Sequence, residues 1–114
     1  MANVTVHLDT FHLMNEEDNI GEAIRATSSR LGYFHACGSQ RGIPGKDLVP
    51  WQETFEALRD VGYDYCITIE SFHPHQKVAP LAGIWRDFAE SPEHLATQGL
   101  AFVRDMHAKV NGQV

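Results

Sequence analysis

With 114 residues, 43% of them hydrophobic and 21% charged, the chain has the size and composition of one small globular domain with a modest single core. Nine Lys and Arg against fifteen Asp and Glu leave a net charge of −6, and no basic stripe tracks a phosphate backbone, which argues against a nucleic-acid partner. No apolar run approaches the roughly 18 residues of a membrane span, and the opening M-A-N-V-T-V has neither a basic nor an apolar signal region, so a cytoplasmic location without a membrane partner is expected.

Residues 3–9 alternate, with Val4, Val6 and Leu8 on one face and Thr5, His7 and Asp9 on the other, and so predict a strand that ends in a polar cluster, Asp9 and His12. From Asn15, a candidate cap, the spacing of Ile20, Ala23, Ile24, Thr27 and Leu31 predicts one helix stopped by Gly32. Residues 33–37 (Y-F-H-A-C) predict a second strand, and the Gly/Pro-rich stretch 38–47 is a long loop. Pro50 and Trp51 open a second helix closed by Gly62, and residues 65–72 (Y-C-I-T-I-E-S-F) predict a third strand carrying Glu70. After an irregular segment over 73–90, Ser91 and Pro92 start a last helix with Leu95, Gly99, Phe102, Val103, Met106 and Val110 as its apolar stripe. The domain is expected to span 1–110, with 111–114 as a frayed tail. Cys37 and Cys66 show no C-x-x-C or zinc-ribbon spacing and are expected to be buried, inert thiols.

The order strand, helix, strand, helix, strand, helix reads as three βα units, hence α/β with parallel strands and right-handed crossovers. Parallel strands place their C-terminal ends on one edge, which would carry Asp9 and His12, then His35, then Glu70. In open α/β sheets and in barrels alike, that edge binds ligands. Taken singly, a strand-end Asp caps turns and a strand His sits satisfied in a core. Together, an acid, an imidazole and an acid at three successive strand ends suit a divalent metal, with Mn²⁺, Mg²⁺, Co²⁺ or Zn²⁺ all compatible with oxygen and nitrogen donors. Glu70 is the hardest to explain otherwise, since an acid directly after I-T-I is costly to bury without a cation or donors. Arg41, six residues after His35, lies at the mouth of the edge, where a guanidinium can hold a substrate oxygen. His73 and His75 read as solvent-exposed loop residues, and G-I-P-G matches neither a P-loop nor a dinucleotide fingerprint.

Five segments taken in order, V-H-L-D-T-F-H, F-H-A-C-G-S-Q-R-G-I-P-G, W-Q-E-T-F-E-A-L-R-D-V-G-Y-D, I-T-I-E-S-F and G-I-W-R-D, resemble the C-terminal half of the ketose 3-epimerases. These are the D-tagatose/D-psicose 3-epimerases of the xylose isomerase-like, endonuclease-IV-like TIM-barrel superfamily. The resemblance implies a partial (β/α) barrel corresponding to units six to eight. It also implies that Asp9, His35 and Glu70 are metal ligands, with Mn²⁺ the first candidate, that Glu70 is a catalytic carboxylate, and that His12 and Arg41 bind the substrate. The implied reaction is C3 epimerisation of a ketose through a cis-enediolate, with a second carboxylate returning the proton on the opposite face.

Full barrels of this kind run to about 250 residues. The fourth ligand and partner carboxylate should come from an earlier strand, and Glu16, Glu17, Glu22, Glu53, Glu56, Glu90 and Glu93 read as helical or loop residues. Three strands with bare edges are expected to recruit another chain, giving a homodimer, a higher oligomer or association with a complementary segment. The functional alternatives are an isomerase, acting on a ketose or sugar phosphate, whose site another chain completes, and an inactive truncated barrel that folds as an oligomer. A DNA-repair nuclease of the related fold is disfavoured by the charge.

Overall fold

The computed structural model describes residues 3–112. Its elements run β1 (Val6–Asp9), α1 (Thr10–Glu16), α2 (Ile20–Thr27), a 3₁₀ turn (Ser28–Arg30), β2 (Leu31–Ala36), α3 (Trp51–Asp60), β3 (Ile67–Ile69) and α4 (Pro92–Val110). The strands form a parallel sheet in the order β1-β2-β3. The expected three βα units are therefore present.

Two helical boundaries differ from those expected from the sequence. The helix expected from Asn15 is two helices, because Asp9 itself caps α1 and Asn19, accepting from Glu22 N–H at 2.8 Å, caps α2. Asn15 instead donates its amide to the Phe11 carbonyl inside α1. Gly32 does not stop a helix. It lies in β2 at a bulge: Val6 pairs with Leu31 and His7 with Tyr33, so Gly32 is the unpaired extra residue. A Cβ there would meet the Thr5 side chain at 2.2 Å, so the close approach of the two strands requires glycine. The bulge also shifts the alternation, letting Leu31 and Phe34 both face the core. Gly62 does end α3, with φ +68, and Ser91 caps α4 through His94 N–H, both as the sequence predicts. The third strand is shorter than the expected 65–72. Of the expected tail, Asn111 and Gly112 form the turn that closes α4, and 113–114 lie outside the described residues.

The core lies on one face of the sheet. Phe34 and Ala36 of β2, with Leu8, Ile67 and Ile69 partly buried beside them, pack against Ile20 and Ile24 of α2, Trp51, Phe55 and Leu58 of α3, and Val103 and Val110 of α4. The opposite face carries His7, Tyr33, His35 and Thr68, none of which belongs to the buried core cluster. Among the described residues, no helix is long and apolar enough to cross a membrane.

Candidate active site

The site is assembled by strand register. Asp9 is the direct neighbour of His35 across the β1–β2 ladder, and His35 is the neighbour of Thr68 across β2–β3. Glu70 follows Thr68 by two residues and so returns to the same face, its N–H donating to the Ala36 carbonyl at 3.3 Å. His35 Nδ1 lies 3.3 Å from Asp9 Oδ2 and 3.5 Å from Glu70 Oε2. One donor atom from each of the three residues lies within 4.8 Å of the other two.

The two oxygens of Asp9 have separate tasks. Oδ1 accepts from the N–H groups of Phe11 (2.8 Å) and His12 (3.4 Å), capping α1. Oδ2 is buried and has no hydrogen-bond partner. A buried carboxylate oxygen without a donor is costly, and here it faces an imidazole nitrogen and a second carboxylate. That orphaned oxygen, with a nitrogen and an oxygen donor beside it, fits a divalent cation in an oxygen and nitrogen environment.

Thr10 sets the distance between the first two strand ends. Its buried hydroxyl donates to the Cys37 carbonyl and accepts from the Cys37 N–H at 2.8 Å, tying the start of α1 to the end of β2. Cys37 itself is inert, as expected: burial, then the neighbouring charge of Asp9, pushes its thiol up to about 12. Cys66 is exposed, contrary to expectation, because β3 begins one residue after it.

His7, on the same face as Asp9, stacks edge-on against His35 with ring centroids 4.2 Å apart and lines the site. Its i, i+2 relation to Asp9 in an alternating strand was the available signal. A cavity of about 410 Å³ is walled by His7, Asp9, His12, His35 and Glu70, with Glu16 and Glu17 at the end of α1. Those two glutamates, read from sequence as remote helical residues, do reach the cavity wall, although neither belongs to the three-residue donor cluster.

His12 lies one turn into α1 on the cavity wall, and its Nε2 accepts from an Arg41 Nη2 at 3.4 Å. Arg41 has φ +64, rare for a non-glycine residue. The long loop after β2 is thus tied to the site through Arg41. His73 is buried rather than exposed: its Nδ1 accepts from His75 N–H at 3.3 Å and its Nε2 faces the Ala89 carbonyl at 3.2 Å, so it pins the irregular segment. His75 is exposed, as expected. The structure therefore brings Asp9, His35 and Glu70 together, with His12 beside them and Arg41 beside His12.

The family profile described as Xylose isomerase-like TIM barrel matches residues 1–106. The chain is 41% identical over 92 residues to the D-psicose 3-epimerase of Ruminiclostridium cellulolyticum, a match covering 80% of this chain and 31% of that protein. In structure it is similar to an L-ribulose 3-epimerase, with TM-score 0.91 and 30% identity over 99% of this chain and 39% of the other. A D-psicose 3-epimerase crystallised in the presence of D-fructose gives TM-score 0.83 at 37% identity, over 92% of this chain and 38% of that one. The chain thus spans about a third of the length of the relatives it matches, which is the extent of a partial barrel. Three parallel strands with Asp9, His35 and Glu70 at their C-terminal ends, and a sequence match across nearly the whole chain, place this protein in the Xylose isomerase-like TIM barrel family.

Proposed function

We propose that this chain is the part of a divalent-metal-dependent ketose 3-epimerase that carries three metal ligands and one catalytic carboxylate, in a site that a further chain completes. The convergence of the orphaned Asp9 Oδ2, His35 Nδ1 and Glu70 Oε2 carries this reading. Asp9 and His35 hold the ion, with Mn²⁺ the first candidate and Co²⁺, Mg²⁺ and Zn²⁺ also compatible. A bound ion supplies Lewis-acid polarisation of the ketose oxygens at C2 and C3. Glu70, the most exposed of the three with 39% of its side chain accessible, both ligates and reaches outward to take or return the C3 proton. His12 and Arg41 bind ketose oxygens from the side of α1 and the long loop.

Inversion at C3 needs a second carboxylate on the opposite face of the sugar. Among the described residues the donor cluster contains only Asp9, His35 and Glu70, and in this reading the second carboxylate is supplied from outside that cluster. The face of the sheet opposite the core and its two edge strands, β1 and β3, are the surface on which a further chain docks, in a homodimer or higher oligomer. A second reading, an inactive barrel portion that oligomerises, is favoured by the same missing carboxylate.

One set of measurements on the purified protein separates them. Calorimetric titration with Mn²⁺ should show a saturable site, and Glu70→Gln should weaken it by more than the roughly 10- to 100-fold that outer-shell partners are worth. With metal present, NMR in D₂O should show exchange of the C3 proton of D-fructose or D-psicose, and sedimentation should show an oligomer. Metal binding without any exchange establishes the inactive reading; no metal binding overturns the proposal.

A further inference from the structure

We infer that Phe11 and Phe72 are positioning residues that clamp the Arg41 guanidinium, leaving its terminal amino groups free to hold a ketose oxygen beside His12. The inference rests on the ketose reading above for the identity of the ligand, but not for the clamp itself. Three elements meet at Arg41. Its guanidinium carbon lies 4.0 Å from the Phe11 ring centroid, on α1, and 5.4 Å from that of Phe72, just after β3. Its backbone is tied to the same place: Arg41 N–H donates to the Gly38 carbonyl at 2.8 Å, and Phe72 N–H donates to the Arg41 carbonyl at 3.1 Å. The Ser71 hydroxyl donates to the neighbouring Gly42 carbonyl at 2.7 Å. These bonds support the left-handed backbone at Arg41, φ +64, which aims the side chain back over α1.

An arginine on a long loop ordinarily keeps its rotamer freedom. Here Nε is buried without a hydrogen-bond partner, and none of the ion pairs among the described residues includes Arg41. A buried donor lacking an acceptor is tolerated when aromatic faces compensate the charge. The difference from an ion pair is functional. A carboxylate partner would occupy the amino groups, whereas ring faces restrain the plane of the guanidinium and leave its edge donors unused apart from the 3.4 Å contact of Nη2 with His12. Lysine has no flat face to clamp, so Arg41→Lys is not conservative at this position.

Arginine-selective ¹⁵N NMR of the purified protein with Mg²⁺, a diamagnetic probe, tests this directly. The Arg41 Nε–H signal should be resolved from the surface arginines, shifted by ring currents and slow to exchange with solvent. Phe11→Leu and Phe72→Leu should each return it toward the surface cluster, whereas Phe11→Tyr should keep it. Adding D-fructose should move the wild-type signal, and Phe11→Leu should weaken that titration by roughly 3- to 30-fold, the worth of one cation–π contact. An Arg41 signal indistinguishable from surface arginines, or unchanged by both leucine variants, overturns the clamp. A restrained signal that D-fructose does not move leaves the clamp standing and counts against the ketose reading, so the two failures are distinct.

Discussion

Phe34 and Tyr33 are consecutive in β2 and belong to different environments. On the helix side, Phe34 and Ala36 are fully buried, packed with Leu58 of α3 and Ile24 of α2. On the other side, Tyr33 is 40% exposed, its hydroxyl 2.7 Å from that of Thr68, and it forms with His7 and His35 a layer of edge-on aromatic contacts. Alternation along one strand separates the two. Stability resides on the first face, where apolar area leaves water. The candidate metal-ligating groups lie on the second, with Asp9, His35 and Glu70 at the strand ends.

Substitutions should separate these faces. The largest effect is expected from Phe34→Ala, which empties a fully buried site and should cost about 3–5 kcal/mol in urea unfolding. Tyr33→Phe, next to it in sequence, should cost under about 1 kcal/mol, since it removes one exposed hydroxyl contact. A comparable loss in both would mean that the two faces share one core. Thr10→Val joins them: it breaks both bonds to Cys37, should cost about 1–3 kcal/mol, and should weaken Mn²⁺ binding by about tenfold by loosening Asp9 relative to His35. Unchanged metal affinity in a destabilised Thr10→Val would show that the staple serves only the fold.

The smallest effect concerns the thiols. Cys66, exposed, should react with a disulfide reagent at once, and Cys37 only on unfolding. Burial raises the Cys37 thiol from 9.0 to about 12, so the folded chain holds this proton more tightly than the unfolded one. Its contribution to stability is fully present below pH 9.0 and is lost as pH rises toward about 12. Cys37→Ala should therefore flatten the alkaline limb of the stability profile. An equally steep limb would place its origin elsewhere.

Much of the site was readable because strand ends announce themselves: Asp9, His35 and Glu70 each follow apolar or alternating runs, and parallel topology sends such ends to one edge. What was not readable depended on contacts between distant segments. Asp9 was expected to mark a strand end, and its second role as the cap of α1 appears only where Thr10 and Phe11 turn into a helix. Gly32 looks in sequence like a helix stop and serves as a bulge opposite β1, with the Thr5 side chain just before β1 leaving no room for a Cβ. His73 was expected in solvent because its own segment is irregular, and its burial depends on Ala89, sixteen residues on.

By itself the sequence determined the number and kind of units, the helix faces, and the residue types at the strand ends, since periodicity and local caps are properties of neighbouring residues. Only the tertiary structure decided that Asp9 Oδ2 would be left without a donor beside His35, that Glu16 and Glu17 would reach the cavity wall, and that Arg41 would rest against Phe11 and Phe72. Those outcomes depend on register, bulge and loop closure, which couple residues 26 to 35 positions apart, and no local pattern encodes them.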